Sequence, residues 1–165
     1  MRSTRSWSWI VPPPDVVVRP LRRADCAAIA SLFSELSPES LYQRFHSGAV
    51  RVDAALLERA TAGRALVAET DGRLVGLASY VRVQNRAEAE AGIVVEDCSQ
   101  HSGIGSLLYR ELLRDAERAG IRHMLAIVMR SNHAMLRLVD SLDLPLVHLN
   151  SGAALEITVQ LGVST

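Results

Sequence analysis

Lysine is absent from this chain of 165 residues, and all 18 of its basic side chains are arginine. A phosphate-binding P-loop needs a lysine, and enzymes that form Schiff bases, pyridoxal enzymes among them, need a lysine amine. Both classes are therefore excluded. The simplest origin of the bias is a codon preference for arginine, although the two residues are not chemically interchangeable. One consequence is that the chain offers no lysine side chain of its own for modification.

Cysteine is also scarce, and histidine forms no metal-binding pattern. Cys26 and Cys98 lie far apart, without a CxxC pair or the spacing of metal ligands. This argues against a disulfide framework and suits a reducing compartment. We expect Cys98 to be a half-buried structural thiol. No zinc or other metal site is predicted, because no HExxH or similar motif joins the histidines at positions 46, 101, 123, 133 and 148.

Long apolar runs and an excess of charge are missing as well. The sequence contains no apolar stretch long enough for a membrane span, and its formal net charge of +0 gives no electrostatic footprint for nucleic acid. Residues 1–15 include Trp7, Trp9 and a run of prolines, and we expect an N-terminal tail there rather than a signal peptide. We therefore expect a cytoplasmic protein, either monomeric or homodimeric.

The order of periodic segments predicts one mixed α/β domain over residues 16–161, with a mostly antiparallel central sheet flanked by helices. Asp71-Gly72 is a strong hairpin signal, and Ser37-Pro38 is typical of a helix start. Helices are expected within 23–36 and over 37–46, 53–61, 104–119 and 132–142. Strands are expected over 16–19 (ended by Pro20), 65–70, 74–83, 87–95 (after a turn near Asn85), 123–128, 145–150 and 155–161.

A glycine-containing loop stands between a predicted strand and a predicted helix. In Gln100-x-x-Gly103-x-Gly105 the glycines allow close approach of backbone amides to phosphate oxygens at the positive end of the helix dipole. By itself the pattern is equally typical of a tight turn. A dinucleotide-binding fingerprint is excluded, because Leu108 stands at its third glycine position and antiparallel hairpins precede the loop.

Three segments of the chain resemble one family of proteins. The loop 100–105 is similar to the Arg/Gln-x-x-Gly-x-Gly/Ala signature of the GNAT family of N-acetyltransferases. Residues 36–45 resemble the Leu-Ser-x-Glu-Ser-x-Tyr-x-Arg-Phe segment of bacterial Pat-type protein lysine acetyltransferases. Residues 132–138 are similar to the Asn-x-x-Met motif that follows the fifth strand in those enzymes. The resemblance covers nearly the whole chain and implies the GNAT fold.

The resemblance also implies acetyl-CoA as acyl donor and assigns residues to it. Backbone amides of the loop would bind the pyrophosphate, and backbone groups of the preceding strand would pair with the pantetheine arm. Asn132 would contact the cofactor from the next helix, although a plain N-cap role explains it equally well. The residues implied in cofactor binding are Val94, Val95, Gln100, His101, Ser102, Gly103, Ile104, Gly105, Ser106 and Asn132.

Two carboxylates precede the loop on one face of a predicted strand, Glu88 and Glu90. A lysine amine with an ordinary pKa of about 10.4 must lose a proton before it attacks a thioester, and a nearby carboxylate can accept that proton. The family pattern has its catalytic glutamate ten residues before the loop, which matches Glu90. We therefore predict Glu90 as general base, in apolar surroundings from 92–95, with Glu88 in reserve. A solvent-facing strand carboxylate is the alternative.

The chain departs from the family pattern at two places. His101 and Ser102 occupy loop positions where relatives often carry glycine and a basic residue, which would weaken phosphate binding unless His101 partly substitutes. Many relatives also use a tyrosine after the fifth strand to protonate the leaving thiolate. Here the last tyrosine is Tyr109, so Ser131, His133 or water would take that role, or no general acid is needed.

Three functions remain open from the sequence. The first is transfer of acetyl from acetyl-CoA to an amine, preferably a protein lysine. The second keeps the fold but uses a small amine, and the third is a CoA-sensing module without catalysis. Tyr42, Arg44 and Phe45 are expected to pack the helices beside the substrate groove, where Arg44 has the further option of an ion pair.

Overall fold

The structure, a computed structural model, describes residues 15–84 and 86–162. The predicted tail with Trp7 and Trp9 lies outside the described residues except for Asp15, and so does Asn85. The described elements follow the predicted order, with short 3₁₀ turns at Arg23–Asp25 and Asp97–Ser99. They are β1 (Val17–Pro20), α1 (Cys26–Ser34), α2 (Pro38–Phe45), α3 (Ala54–Ala60), β2 (Arg64–Thr70), β3 (Arg73–Arg82), β4 (Glu88–Val95), α4 (Ile104–Arg118), β5 (His123–Met129), α5 (His133–Asp140), β6 (Leu146–Ser151) and β7 (Ala154–Gln160).

The strands form a single sheet in the order β1-β2-β3-β4-β5-β7-β6. Neighbouring strands are antiparallel except for β4 and β5, which are parallel. This confirms the predicted mixed α/β fold. The parallel pair joins only Glu88–Glu90 to residues 123–125. Beyond Glu90 the two strands separate, and this gap positions the site described below.

Helices cover the two faces of the sheet around separate apolar clusters. One cluster is centred on α4, where Tyr109 and Leu112 are completely buried, and it includes Ala89 of β4. The other is centred on α1 to α3, around Phe33, and includes Val94. Because strand side chains alternate, Glu90 and Gly92 lie on the same face of β4 as Val94. Each large apolar side chain buried in this way stabilises the fold by about 1.5–3 kcal/mol.

Side-chain caps fix the helices that border the site. The Ser37 hydroxyl accepts a 3.2 Å hydrogen bond from the Ser40 amide at the start of α2, as predicted. Asp53 caps α3 through a 2.9 Å bond from the Leu56 amide. The helix α2 ends at Phe45, and its C-cap residue His46 adopts the left-handed conformation with φ of 55°.

The first strand lies at the edge of the sheet and differs slightly from its prediction. The expectation that the strand ends before Pro20 was wrong, because Pro20 pairs with Leu66 as the last residue of β1. An edge strand tolerates a proline, since the missing N–H costs no ladder hydrogen bond on the outer side. Within the described ranges, none of the helices combines the length and the apolar character that a bilayer crossing requires.

Candidate active site

The gap between β4 and β5 is bordered by two cavities. They have volumes of about 340 Å³ and about 220 Å³. The first lies beside α5 and the N-terminus of α4, and the second beside the C-terminal end of α2. The two cavities adjoin each other, and both are lined by Gln43, Arg44, Ile93, Asn132 and Met135.

The N-terminus of α4 faces the first cavity with uncapped amides. Its N-cap residue Gly103 has φ of 88°, a conformation that glycine adopts without strain. Among the described residues, no side chain forms a capping hydrogen bond at this helix end. The first amides of a helix have no partner within the helix and carry the positive end of its dipole. With Gly105 and Ser106 lining the cavity, this end is suited to a phosphate group.

Gln100 holds the loop against two neighbouring elements. Its Nε2 atom donates to the Ser40 hydroxyl at 3.0 Å and to the Val95 carbonyl at 3.1 Å. The loop is therefore tied both to the end of β4 and to the first turn of α2. Ser40 also lines the first cavity, and the sequence reasoning did not assign it there.

Asp97 continues this network to the start of α2. Its carboxylate accepts from the Ser37 hydroxyl at 2.6 Å, the Ser37 amide at 3.0 Å and the Ser40 hydroxyl at 2.9 Å. Partial burial by itself would raise the pKa of Asp97, but the hydrogen bonds from Ser37 and Ser40 outweigh it and lower that pKa. A charged Asp97 thus fixes α2 against the loop on which Gln100 stands.

Most residues predicted to bind the cofactor lie together around the first cavity. Two do not line it: the Ser102 hydroxyl donates instead to the Ser99 carbonyl, and the Ile104 side chain is buried in the α4 cluster. Their backbone amides remain at the helix end. The residues that line it as expected are Val94, Val95, Gln100, His101, Gly103, Gly105, Ser106 and Asn132.

The first cavity also contains a cation that the sequence reasoning missed. Arg137 lines it from α5, with an exposed side chain. Ala134, Leu138 and Ser141 line the same cavity, and their spacing of three to four residues marks one face of the helix. The same helical spacing in the sequence could have predicted that Arg137 faces the first cavity together with these residues. His101, on the opposite loop, is exposed and left-handed with φ of 58°.

Glu90 lies at the second cavity, on the part of β4 just before the strands separate. Gly92 and Ile93 of the expected apolar surroundings line this cavity, but the expected enclosure was wrong: Glu90 is exposed, and the other ionisable groups lining the cavity are Arg44, His46 and Arg59. Glu88 does not line either cavity and instead lies 3.5 Å from Arg86. The structure thus separates the two candidate carboxylates by position.

Arg44 lies over the backbone of β4, between the two cavities. A β-carbon placed on Gly92 would lie 2.3 Å from the guanidinium carbon, so only glycine leaves room for it. The guanidinium also lies 4.9 Å from the centroid of the Phe45 ring. Burial lowers the pKa of Arg44, and the charge of nearby Glu90 offsets this in part. Phe45 itself packs on Phe33, as expected for a groove-bordering helix, with ring centroids 6.0 Å apart.

His46 completes the set of ionisable groups at the second cavity. Loss of part of its solvent shell and the positive charge of Arg44 both lower the pKa of His46 below its ordinary value of 6.5. The imidazole is therefore uncharged at neutral pH.

The residues predicted to act at the start of α5 differ in whether they line a cavity. Asn132 is the N-cap of α5, where its Oδ1 accepts from the Met135 amide at 3.0 Å, and it lines both cavities as well. Ser131 and His133 are exposed and line neither cavity.

The prediction of a half-buried Cys98 was wrong: the thiol is exposed, because its 3₁₀ turn lies outside the sheet and directs Asp97 toward α2.

Comparisons with known proteins agree with this geometry. The chain is 31% identical over 130 residues to the acetyltransferase PA5475 of Pseudomonas aeruginosa, an alignment that covers 73% of this chain and 69% of that protein. The GNAT domain of S. lividans PAT has the same fold, with a TM-score of 0.79 at 24% identity over 87% of this chain and 89% of that one.

A second solved structure, yncA of Salmonella typhimurium with its cofactor acetyl-CoA, has a TM-score of 0.70 at 22% identity and covers 92% of this chain and 96% of that one. Residues 28–142, well over half of the chain, match the acetyltransferase (GNAT) family itself. The resemblance expected from the loop, the α2 segment and the α5 motif is thereby confirmed. The chain belongs to the GNAT family of acetyltransferases.

Proposed function

We propose that this acetyltransferase moves the acetyl group of acetyl-CoA directly to a lysine amine of a protein, with Glu90 as general base. One observation carries the proposal: two adjoining cavities, which share five lining residues, place the uncapped N-terminus of α4 at one end and the exposed carboxylate of Glu90 at the other. Donor and acceptor would then approach the junction from opposite sides.

The first cavity fits the donor. Acetyl-CoA, the donor that the family uses, carries a pyrophosphate, and the uncapped amides at the start of α4 suit that group. Arg137 supplies a positive charge from the facing helix, which compensates for the missing basic residue in the loop. The pantetheine arm would lie along β4 at Val94 and Val95, where the edge facing β5 has no strand partner.

The second cavity fits the acceptor. The amine loses its proton to Glu90, directly or through a water, and its lone pair then attacks the thioester carbonyl carbon. Collapse of the tetrahedral intermediate breaks the carbon–sulfur bond, so the thiolate leaves with CoA and the amide stays on the acceptor. Because Ser131 and His133 line neither cavity, the thiolate leaves without a side-chain acid from α5.

The preference for a protein lysine rests on α2. This helix carries the Pat-like segment 36–45, and its last turn lines the second cavity through Gln43, Arg44 and Phe45. A lysine side chain is long and narrow, so it can reach the junction while its own backbone stays at the surface.

The test uses the absence of lysine in the enzyme. Acetyl-CoA is incubated with lysine-containing proteins and with small amines, and free thiol and acetyl-lysine are measured, so that any acetyl-lysine belongs to the acceptor. Glu90→Gln should lower kcat by about 100-fold or more with unchanged acetyl-CoA binding. Glu88→Gln is the matched control and should remain active. Acetyl-CoA binding without turnover on any amine would overturn the proposal, and turnover on small amines alone would remove the protein acceptor.

A further inference from the structure

Two arginines flank one aromatic ring at the second cavity. The guanidinium carbons of Arg44 and Arg59 lie 4.9 Å and 6.0 Å from the centroid of the Phe45 ring. Both side chains line the cavity, Arg59 from α3 as an exposed residue and Arg44 from α2 as a partly buried one. The ring contacts leave the edges of the guanidinium groups free to donate hydrogen bonds.

Neither arginine has a carboxylate partner at salt-bridge distance within the described ranges. Other arginines do: Arg19 binds Asp25 at 2.8 Å, and Arg64 binds Asp115 at 2.7 Å. A guanidinium that loses solvent without a bound anion costs free energy, which a ligand carboxylate can recover. The pair beside Phe45 is therefore placed to receive an anion.

The charged groups that line the second cavity also favour an anionic ligand. The ionisable groups that line it are Arg44, Arg59, His46 and Glu90. His46 is uncharged at neutral pH, for the reasons given above. Two guanidinium groups thus face one carboxylate, in a cavity of about 220 Å³. A neutral or basic acceptor would leave this excess uncompensated, whereas an acceptor with a carboxylate beside its amine would balance it.

We infer that the acceptor carries a carboxylate close to the amine that is acetylated, and that Arg44 and Arg59 recognise it. The inference rests on the proposed function and narrows its substrate class to lysines with a neighbouring acidic residue. The same chemistry is available from the α-carboxylate of a free amino acid, so the test separates the two sources. Arg59 is the residue to change, because it is exposed and its removal spares the core.

The experiment compares acceptors that differ in one group. Two peptides with a single lysine, one with Glu and one with Gln beside it, are compared with free lysine and lysine amide. With the unmodified enzyme, kcat/KM should be about tenfold higher for the Glu peptide. Arg59→Gln should reduce that preference to about twofold, by raising the acceptor KM without changing the acetyl-CoA KM. Arg51→Gln, an exposed change outside both cavities, should leave the preference intact.

The results distinguish recognition of a carboxylate from the use of a protein as acceptor. Equal rates on the Glu and Gln peptides, and on free lysine and its amide, would overturn the inference, as would a preference that survives Arg59→Gln. A preference for free lysine over its amide, without one between the peptides, would support carboxylate recognition and contradict the protein acceptor. If no acceptor is turned over, peptide binding in the presence of CoA is measured by fluorescence polarisation. Tighter binding of the Glu peptide that Arg59→Gln abolishes would support the inference even though the proposed reaction had failed.

Discussion

The Nε2 atom of Gln100 donates a hydrogen bond of 3.0 Å to the hydroxyl of Ser40, sixty positions earlier in the chain. This bond connects the loop before α4 to the first turn of α2. Gln100→Ala removes it together with the bond to the Val95 carbonyl. We expect acetyl-CoA binding to weaken by about tenfold, because each lost hydrogen bond is worth about 0.5–1.5 kcal/mol. Calorimetric titration with acetyl-CoA measures this, and Cys98→Ala, an exposed change in the same segment, should have no effect.

Gly92→Ala should displace the Arg44 guanidinium from the junction of the cavities. The new β-carbon would come within 2.3 Å of its central carbon, so the side chain must move. We expect kcat/KM for the acceptor to fall by about tenfold or more, whereas the free energy of unfolding should change by only about 1 kcal/mol or less, because the contacted atoms are the end of a flexible side chain. Gly48→Ala is the control, since no atom of the described residues lies within 4 Å of its added carbon. A variant with unchanged acceptor kinetics would show that the position of Arg44 does not matter.

Arg137→Gln tests the cation of the first cavity. We expect the KM for acetyl-CoA to rise by about tenfold, because a charge-assisted contact to phosphate is worth about 1.5–3 kcal/mol. The effect should shrink as salt is added, since ions screen exposed charges. Steady-state kinetics at two salt concentrations measure both quantities. An unchanged KM at low salt would place the phosphates away from α5.

The ion pair between Asp25 and Arg19 of the edge strand β1 makes the stability of the fold depend on pH in acid. Arg19 donates to its carboxylate at 2.8 and 2.9 Å, and this pairing lowers the pKa of Asp25 to about 2. Because the folded pKa is depressed, the stabilisation is present above the ordinary pKa near 3.8 and is lost as the pH falls through about 2. Asp25→Asn should cost about 1–3 kcal/mol at neutral pH and progressively less in acid.

Urea denaturation of wild type and variant across that pH range measures the difference. Asp71→Asn, which removes a carboxylate from a hairpin turn with φ of 49°, should change stability by about 0.5 kcal/mol or less. A constant difference between Asp25→Asn and wild type at all pH values would contradict the assignment.

The hydroxyl groups of Tyr109 and Tyr80 differ in hydrogen bonding, so their removal should change stability differently. The Tyr109 hydroxyl is buried without a hydrogen-bond partner among the described residues, whereas the Tyr80 hydroxyl donates to Asp115 at 3.0 Å. Tyr109→Phe should therefore leave the free energy of unfolding unchanged or raise it by about 1 kcal/mol. Tyr80→Phe should lower it by about 1 kcal/mol. Thermal unfolding of both variants gives the comparison, and a large loss in Tyr109→Phe would reveal an unseen partner for its hydroxyl.

Local patterns were sufficient to predict the fold and the loop. Ser37 and Pro38 mark the start of α2, Asp71-Gly72 marks the hairpin, and both signals depend only on neighbours in the chain. The assignment of Glu90 over Glu88 came from family spacing, and the structure adds that Glu90 lines the second cavity whereas Glu88 lines neither cavity.

The remaining features depend on contacts between distant segments. Nothing within residues 36–45 indicates that Arg44 comes to lie over Gly92, and nothing near Cys98 indicates that Asp97 reaches Ser37. The charged surroundings of Glu90 have the same origin. Gly92 and Ile93 line its cavity, but Arg44 and Arg59 reach that cavity from α2 and α3.

The separation of β4 from β5 has a consequence for the order of events in catalysis. The side chains lining the second cavity include no serine, threonine or cysteine that would hold an acyl group between two half-reactions. The proposed direct transfer requires both substrates to be bound together before transfer begins, and initial-rate lines for the two substrates should then intersect rather than run parallel. Because the proposal assigns the two substrates to different cavities, the acetylated product should be able to depart while CoA is still in place.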